Sequence, residues 1–147
     1  MMRWLDEEQQ RSWRAFLAAT TSLQAGLDAQ LQAEAGMPHA YYEVLVRLSE
    51  APDLRLRMSA LADAAGSSRS RLSHAVAQLE ARGWVRREPC PEDRRGLIAV
   101  LTDEGFVALE QAAPGHVEQV RRLLIDRLTP EQVRSLREIS EAILPDV

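Results

Sequence analysis

Between Asp6 and Ala35 the chain carries no proline and one glycine, Gly26, while Trp13, Phe16, Leu17, Thr20, Leu23, Leu27 and Leu31 return mostly at intervals of three and four. Such spacing draws one apolar stripe along a helix, which Gly36 is placed to end. Pro38 then suits the first turn of a second helix, with Tyr41, Tyr42, Val44, Leu45 and Leu48 inside it and Ala51-Pro52 to stop it. Two more helices follow closely. SALADAAG takes Ser59 as N-cap and Gly66 as its end, and RSRLSHAVAQLEAR begins at Ser67 or Ser68 and closes at Gly83.

After Gly83 the period shortens. WVRREPC and GLIAVLT are short β-prone runs, and PEDRR between them predicts a two-stranded hairpin with a basic, proline-stiffened tip. Thr102 caps a further helix whose first turn carries Asp103 and Glu104, and Phe106, Leu109, Ala113, Val117, Val120, Leu124 and Leu128 continue it to the neighbourhood of Arg127. Pro114-Gly115 lies inside that helix and should kink it. Thr129-Pro130-Glu131-Gln132 reads as a capping box opening a last helix, with Val133, Leu136, Ile139 and Ile143 inward. The expected fold is therefore mainly α with a small β-hairpin wing. A short helix, a tight turn at Gly66 and an amphipathic helix make a helix-turn-helix, and the hairpin wings it.

Charge alters the picture. The 147 residues carry a formal −4, which repels phosphate in bulk, but the signs are not scattered evenly. From Arg55 to Arg95 nine arginines face five acids, while the remaining residues carry nine arginines against seventeen acids. A positive segment on an acidic chain suits a protein that meets a polyanion with one face. The helix from Ser68 sharpens this reading. Leu72, Ala75, Val76 and Leu79 share its inner side, and Ser70, Ser73, His74, Ala77 and Gln78 fall opposite, with Arg71 and Arg82 at the flank and end. Small residues let a helix enter the major groove, and Ser, His and Gln offer donors and acceptors to base edges. Ser68 and Arg69 at the helix start and Arg86 in the first strand complete the candidate DNA-contacting set. In the hairpin, Arg94 and Arg95 with Asp93 beside them, placed to pair with a guanidinium and orient it, suit a narrow, electronegative minor groove.

Little in the sequence supports other chemistry. His39, His74 and His116 are scattered and a second cysteine is lacking, so no metal or other cofactor is expected. No Gly-rich loop, acid pair or nucleophile elbow accompanies Cys90, so no enzyme is expected. Cys90, between Pro89 and Pro91, reads as a small turn residue, and its arginine-rich setting leaves open an oxidant-responsive thiolate. A winged helix that binds protein in place of DNA is the other alternative. No apolar run reaches the ~20 residues of a membrane span, and the opening MMRWLDEEQQ is too polar for a signal peptide, so no membrane partner and a cytoplasmic protein are expected.

The segment MSALADAAGSSRSRLSHAVAQLEARGWVRREPCPEDRRGLIAVLTDEG resembles the winged helix-turn-helix of the MarR (multiple antibiotic resistance regulator) transcription factors, and LTPEQVRSLREISEAI is similar to that family's closing dimerisation helix. Asp93-Arg94-Arg95-Gly96 is the most specific part of the match. The resemblance implies one domain over 1–147, with dimerisation helices at about 1–36 and 103–147 and a DNA-binding lobe at about 40–102. It implies a homodimer on pseudo-palindromic double-stranded DNA, a repressor released by a small-molecule effector. It also gives weight to Asp93 and Arg95 in the wing and to Ser73, His74 and Gln78 on the recognition helix. His74 stands where the family usually has Arg or Lys. The family's effector cleft lies between dimer arms and DNA lobe, and on the first two helices Trp13, His39 and Tyr41, each an apolar body with a polar tip, are its candidate lining.

Overall fold

A computed structural model describes residues 1–145; Asp146 and Val147, the end of the region expected to dimerise, lie outside the described residues. Six α-helices and a small sheet follow in the order α1 (Glu7–Ala35), α2 (His39–Glu50), β1 (Arg55–Arg57), α3 (Met58–Ala65), α4 (Arg69–Ala81), β2 (Val85–Cys90), β3 (Asp93–Leu101), α5 (Asp103–Leu123) and α6 (Pro130–Ile143). The fold is thus mainly α with a β wing, and it divides into two compact units. Asp28–Gly115 form one; Met1–Leu27 and the chain from His116 onward form the other.

In the unit Asp28–Gly115, one core joins Leu31, Leu45 and Leu48 to Leu61, Val76, Leu79 and Val85, each 1 % exposed or less. The turn between α3 and α4 needs Gly66 in the left-handed region (φ +60), where a Cβ is disfavoured. Ser68 then caps α4, its Oγ accepting the Arg71 N–H at 3.2 Å. Leu72, Ala75, Val76 and Leu79 are the buried residues of α4, as the 3.6-residue period predicts.

Several expectations are corrected. Pro38 is the extended N-cap of α2 and not its first helical residue. Ser59 does not cap α3, because β1 runs directly into that helix and Arg57, still extended, is the last residue before it. The sheet has three strands, in the order β1-β3-β2, and not two. β1 is three residues with one half-buried position, too short for an alternating pattern to mark it. The hairpin tip is only Pro91-Glu92, since Asp93, Arg94 and Arg95 already belong to β3. Cys90 ends β2 as a buried residue, 5 % exposed, not a turn residue, and burial removes the access that an oxidant-sensing thiolate needs. α5 runs through Pro114 and ends at Leu123, short of Arg127, because Leu124 leaves helical geometry (φ −129) and a 3-10 turn follows.

In the other unit, α1 and α5 meet where Gly26 has no side chain, and the Gln119 amide donates to the Gly26 carbonyl at 3.2 Å. The capping box of α6 is present in both directions, Thr129 with Gln132. Its inward face is only partly covered within the chain, Val133 and Leu136 being half-buried. α6 has no buried residue, and Ile139 and Ile143 are 56 % and 64 % exposed. Leu27 is the opposite case, buried by its own chain.

Candidate nucleic-acid interface

α4 places its polar residues by the same geometry that buries its apolar ones. With Leu72, Val76 and Leu79 fixed in the core, Ser70, Ser73, His74 and Gln78 are left exposed on the outer side, and Arg69 and Arg71, also exposed, flank the buried stripe beside the exposed cap Ser68. The wing stands next to it. Arg57 of β1, Arg69 and Ser73 of α4, Arg87 of β2, and Asp93 and Arg95 of β3 line one cleft of about 430 Å³. The pattern of residues had not singled out Arg57, nor Arg87 as a site residue. Arg-Leu-Arg between two helices is too short to mark a strand in the sequence; once it pairs with β3, both arginines fall on one side of it.

In the structure Asp93 has a backbone group as its partner. Its Oδ1 accepts the backbone N–H of Arg95 at 3.0 Å, and among the described residues no ion pair joins it to Arg94 or Arg95. Gly96 makes that fold-over possible. A Cβ there would stand 3.2 Å from the Cys90 Cβ and 3.4 Å from the Asp93 carbonyl oxygen, at the register shift between Pro89 and Cys90. Asp93 therefore holds the backbone from which Arg95 projects.

Eight arginines of the basic segment fall into two groups. Arg86 pairs with Glu88 at 2.9 Å, Arg55 reaches the same Glu88 at 3.5 Å, Arg57 pairs with Glu92 at 3.3 Å, and Arg87 pairs with Glu80 at 3.1 Å. The hydrogen bond from Arg87 holds the Glu80 carboxyl below the usual glutamate range, and that from Arg86 does the same for Glu88. Arg69, Arg71, Arg94 and Arg95 take part in no ion pair among the described residues, and all four are exposed. Two of the expected contact residues already have partners within the chain: Arg86 is bound across two positions of its own strand, and the exposed Arg82 lies over two aromatic rings. The Arg82 guanidinium lies 5.6 Å from the Tyr41 ring and 5.1 Å from the Trp84 ring, and its Nη1 donates to the Gly36 carbonyl at 3.0 Å.

Of the candidate effector residues, Tyr41 is therefore stacked against Arg82. His39 faces Glu43 at 3.5 Å, and its backbone N–H donates to Asp28. Trp13 belongs to the other unit and is half exposed there. Among the described residues no group of three His, Cys, Asp or Glu side chains could hold a metal ion, and no helix is long and apolar enough to cross a membrane. A polar helix face, a wing and free guanidinium groups can hydrogen-bond base edges and neutralise phosphates.

The profile of the MarR family matches residues 35–96, the helix-turn-helix and most of the wing. Two solved structures from Streptomyces coelicolor are similar over nearly the whole chain. Sco3205, a MarR family transcriptional regulator crystallised in complex with DNA, is 57 % identical with a TM-score of 0.92, covering 97 % of this chain and 89 % of its own. AbsC, another MarR family transcriptional regulator, is 44 % identical with a TM-score of 0.88, covering 97 % and 95 %. The multiple antibiotic resistance protein MarR of Salmonella typhimurium is 31 % identical over 74 residues, 50 % of this chain and 51 % of that protein, so the match spans about half the curated relative's length. With that breadth of identity to Sco3205, the chain belongs to the MarR family of transcriptional regulators.

Proposed function

We propose that this chain is a DNA-binding repressor that acts as a homodimer, its two lobes reading the half-sites of a pseudo-palindromic operator. The observation that carries the DNA reading is the exposed polar side of α4 beside Arg69, Arg71, Arg94 and Arg95, exposed arginines with no ion pair among the described residues. In this reading Ser73, His74 and Gln78 meet base edges in the major groove, Ser68, Arg69, Ser70 and Arg71 meet phosphates, and Arg94 and Arg95 approach the minor groove from a wing shaped by Asp93. Sco3205, solved with DNA, supports it. The wing's composition favours DNA over a protein partner, since its exposed side chains are mostly charged, with Leu97 an apolar exception at 42 % exposure. The whole chain then works as one MarR-type domain, with dimerisation parts at about 1–36 and 103–147 and the lobe at about 40–102.

The dimer rests on Phe16, Val117, Ile139 and Ile143, each more than 45 % exposed in the single chain. Release by a small molecule completes the reading, and a thermal-shift screen with and without DNA would find such an effector.

Selection from randomised duplexes, followed by binding of the enriched sequence across a salt series, tests the proposal. Enrichment of an inverted repeat and a steep fall of affinity with salt are expected. No enrichment overturns the DNA reading, and a species of one chain in sedimentation at micromolar concentration overturns the dimer.

A further inference from the structure

We propose that Arg82 is a positioning residue for sequence readout: it fixes the angle of the recognition helix α4 by clamping that helix's end to the end of α1, without touching DNA. The inference rests on the DNA-binding reading above.

Arg82 is the C-cap residue of α4, where carbonyls left without intrahelical partners carry negative partial charge. Its Nη1 donates to the carbonyl of Gly36, the left-handed residue (φ +65) just past the end of α1. One cation thus sits at the C-terminal ends of two helices. The planar guanidinium also lies near two rings, Tyr41 of α2 at 5.6 Å and Trp84, which leads into β2, at 5.1 Å. Trp84 is itself held at both backbone groups, its N–H donating to Leu79 and its carbonyl accepting from Thr102. Four segments therefore converge on one side chain: the ends of α1 and α4, the first turns of α2, and the strand entry. The contact between Arg82 and Gly36 spans 46 positions in sequence, so it serves tertiary placement and not local helix capping.

Direct readout demands placement within about half an ångström, whereas a phosphate contact tolerates more. Loosening α4 at its end should then cost recognition of the right sequence and leave general attraction to DNA intact. Lysine could keep the charge and a donor, but it cannot lie flat on two rings.

The test uses the full chain, the selected operator, a scrambled duplex of equal length and a salt series, with Arg82→Gln, Arg82→Lys and Tyr41→Leu compared to the parent. From the loss of two cation–π contacts and one charged hydrogen bond, Arg82→Gln should lower operator affinity about tenfold. Scrambled-duplex affinity and the salt slope should stay within error of the parent. Arg82→Lys should fall between the two, and Tyr41→Leu, which alters no charge, should lower the operator-to-scrambled ratio in the same direction. Amide exchange in the last turn of α4 should quicken in the free protein for each variant. Equal loss on both duplexes with a slope reduced by about one per lobe would make Arg82 a phosphate anchor and overturn the proposal. Unchanged discrimination in all three variants would overturn it as well. If Arg82→Gln does not fold, Arg82→Lys and Tyr41→Leu decide by the same criteria. A parent protein that itself fails to distinguish the two duplexes overturns the DNA reading, a separate result from failure of the clamp.

Discussion

Asp93 separates two accounts of the wing, because its observed partner is a backbone N–H and not a guanidinium. Replacing Asp93 by Ala removes that hydrogen bond at the position where β2 and β3 shift register. A hydrogen bond to a charged group contributes about 1.5–3 kcal/mol, and at this exposed site about 1 kcal/mol is the sensible figure. Opposing it, removal of one negative charge relieves repulsion from phosphates. At about 10 Å in water that is about 0.4 kcal/mol, and salt near the Debye length reduces it further. The loss of wing geometry therefore wins, and Asp93→Ala should bind operator about threefold to fivefold more weakly. Asn at the same position keeps an acceptor for the Arg95 N–H and drops the charge. Asp93→Asn should then bind within about twofold of the parent, or slightly tighter, at 0.1 M salt. Fluorescence anisotropy with labelled operator, repeated on a scrambled duplex, measures both variants. A loss in Asp93→Asn as large as in Asp93→Ala would point to pairing with a guanidinium and refute the backbone account. Tighter binding by Asp93→Ala would show that the wing's shape does not matter.

Other outcomes concern the scaffold. A Cβ at Gly105 would fall 2.0 Å from the Trp84 carbonyl oxygen, so Gly105→Ala should destabilise by at least about 2 kcal/mol despite the ~1 kcal/mol gained in helix propensity, read in denaturant melts. Gly26→Ala meets at close range only the end of the Leu123 side chain, Cδ1 at 2.6 Å, which can rotate away, and should stay within about 1 kcal/mol of the parent; a loss equal to that of Gly105→Ala would contradict the distinction between backbone and side-chain clashes. Ser68→Ala should cost about 1 kcal/mol by removing the cap on Arg71, and Ser68→Gly only a few tenths, so equal losses would argue against capping. Glu80, held below its ordinary range by Arg87, contributes stability at pH above that range and loses it as pH falls through the lowered value. Glu80→Gln should therefore melt lower than the parent at neutral pH, and the two should converge in acid; a constant gap would exclude the pair as the cause.

The helices were legible because each announces itself within a few residues. The inner face of α4 follows from a period that needs only Leu72, Ala75, Val76 and Leu79, and its start from the hydroxyl of Ser68. The same holds for the capping box at Thr129 and Gln132. What escaped was set by distance along the chain or by brevity. β1 exists because Leu56 pairs with Ala99, 43 positions later, and three residues cannot display a period. Arg82 and Arg86 look in sequence like every other arginine of the basic segment. Gly36, Tyr41 and Trp84 engage the first, and Glu88 pairs with the second. Asp93 was recognisable as a wing residue, but the atom it serves depends on the local fold of the wing at the register shift between Pro89 and Cys90.

The carboxylates paired with Arg55, Arg57, Arg86 and Arg87 bear on how the protein finds its site. Bulk genomic DNA outnumbers an operator by about a million to a billion competing positions, so a searching protein loses time in proportion to how long each wrong position holds it. If all nine arginines between Arg55 and Arg95 met phosphates, every stretch of duplex would be a trap. By engaging four of them in ion pairs and holding Arg82 against Gly36, Tyr41 and Trp84, the lobe leaves four to meet DNA, Arg69, Arg71, Arg94 and Arg95. Each stop should be brief, and the dwell should lengthen only where the base edges match α4. Glu80, Glu88 and Glu92 would then set the pace of the search without contacting the target.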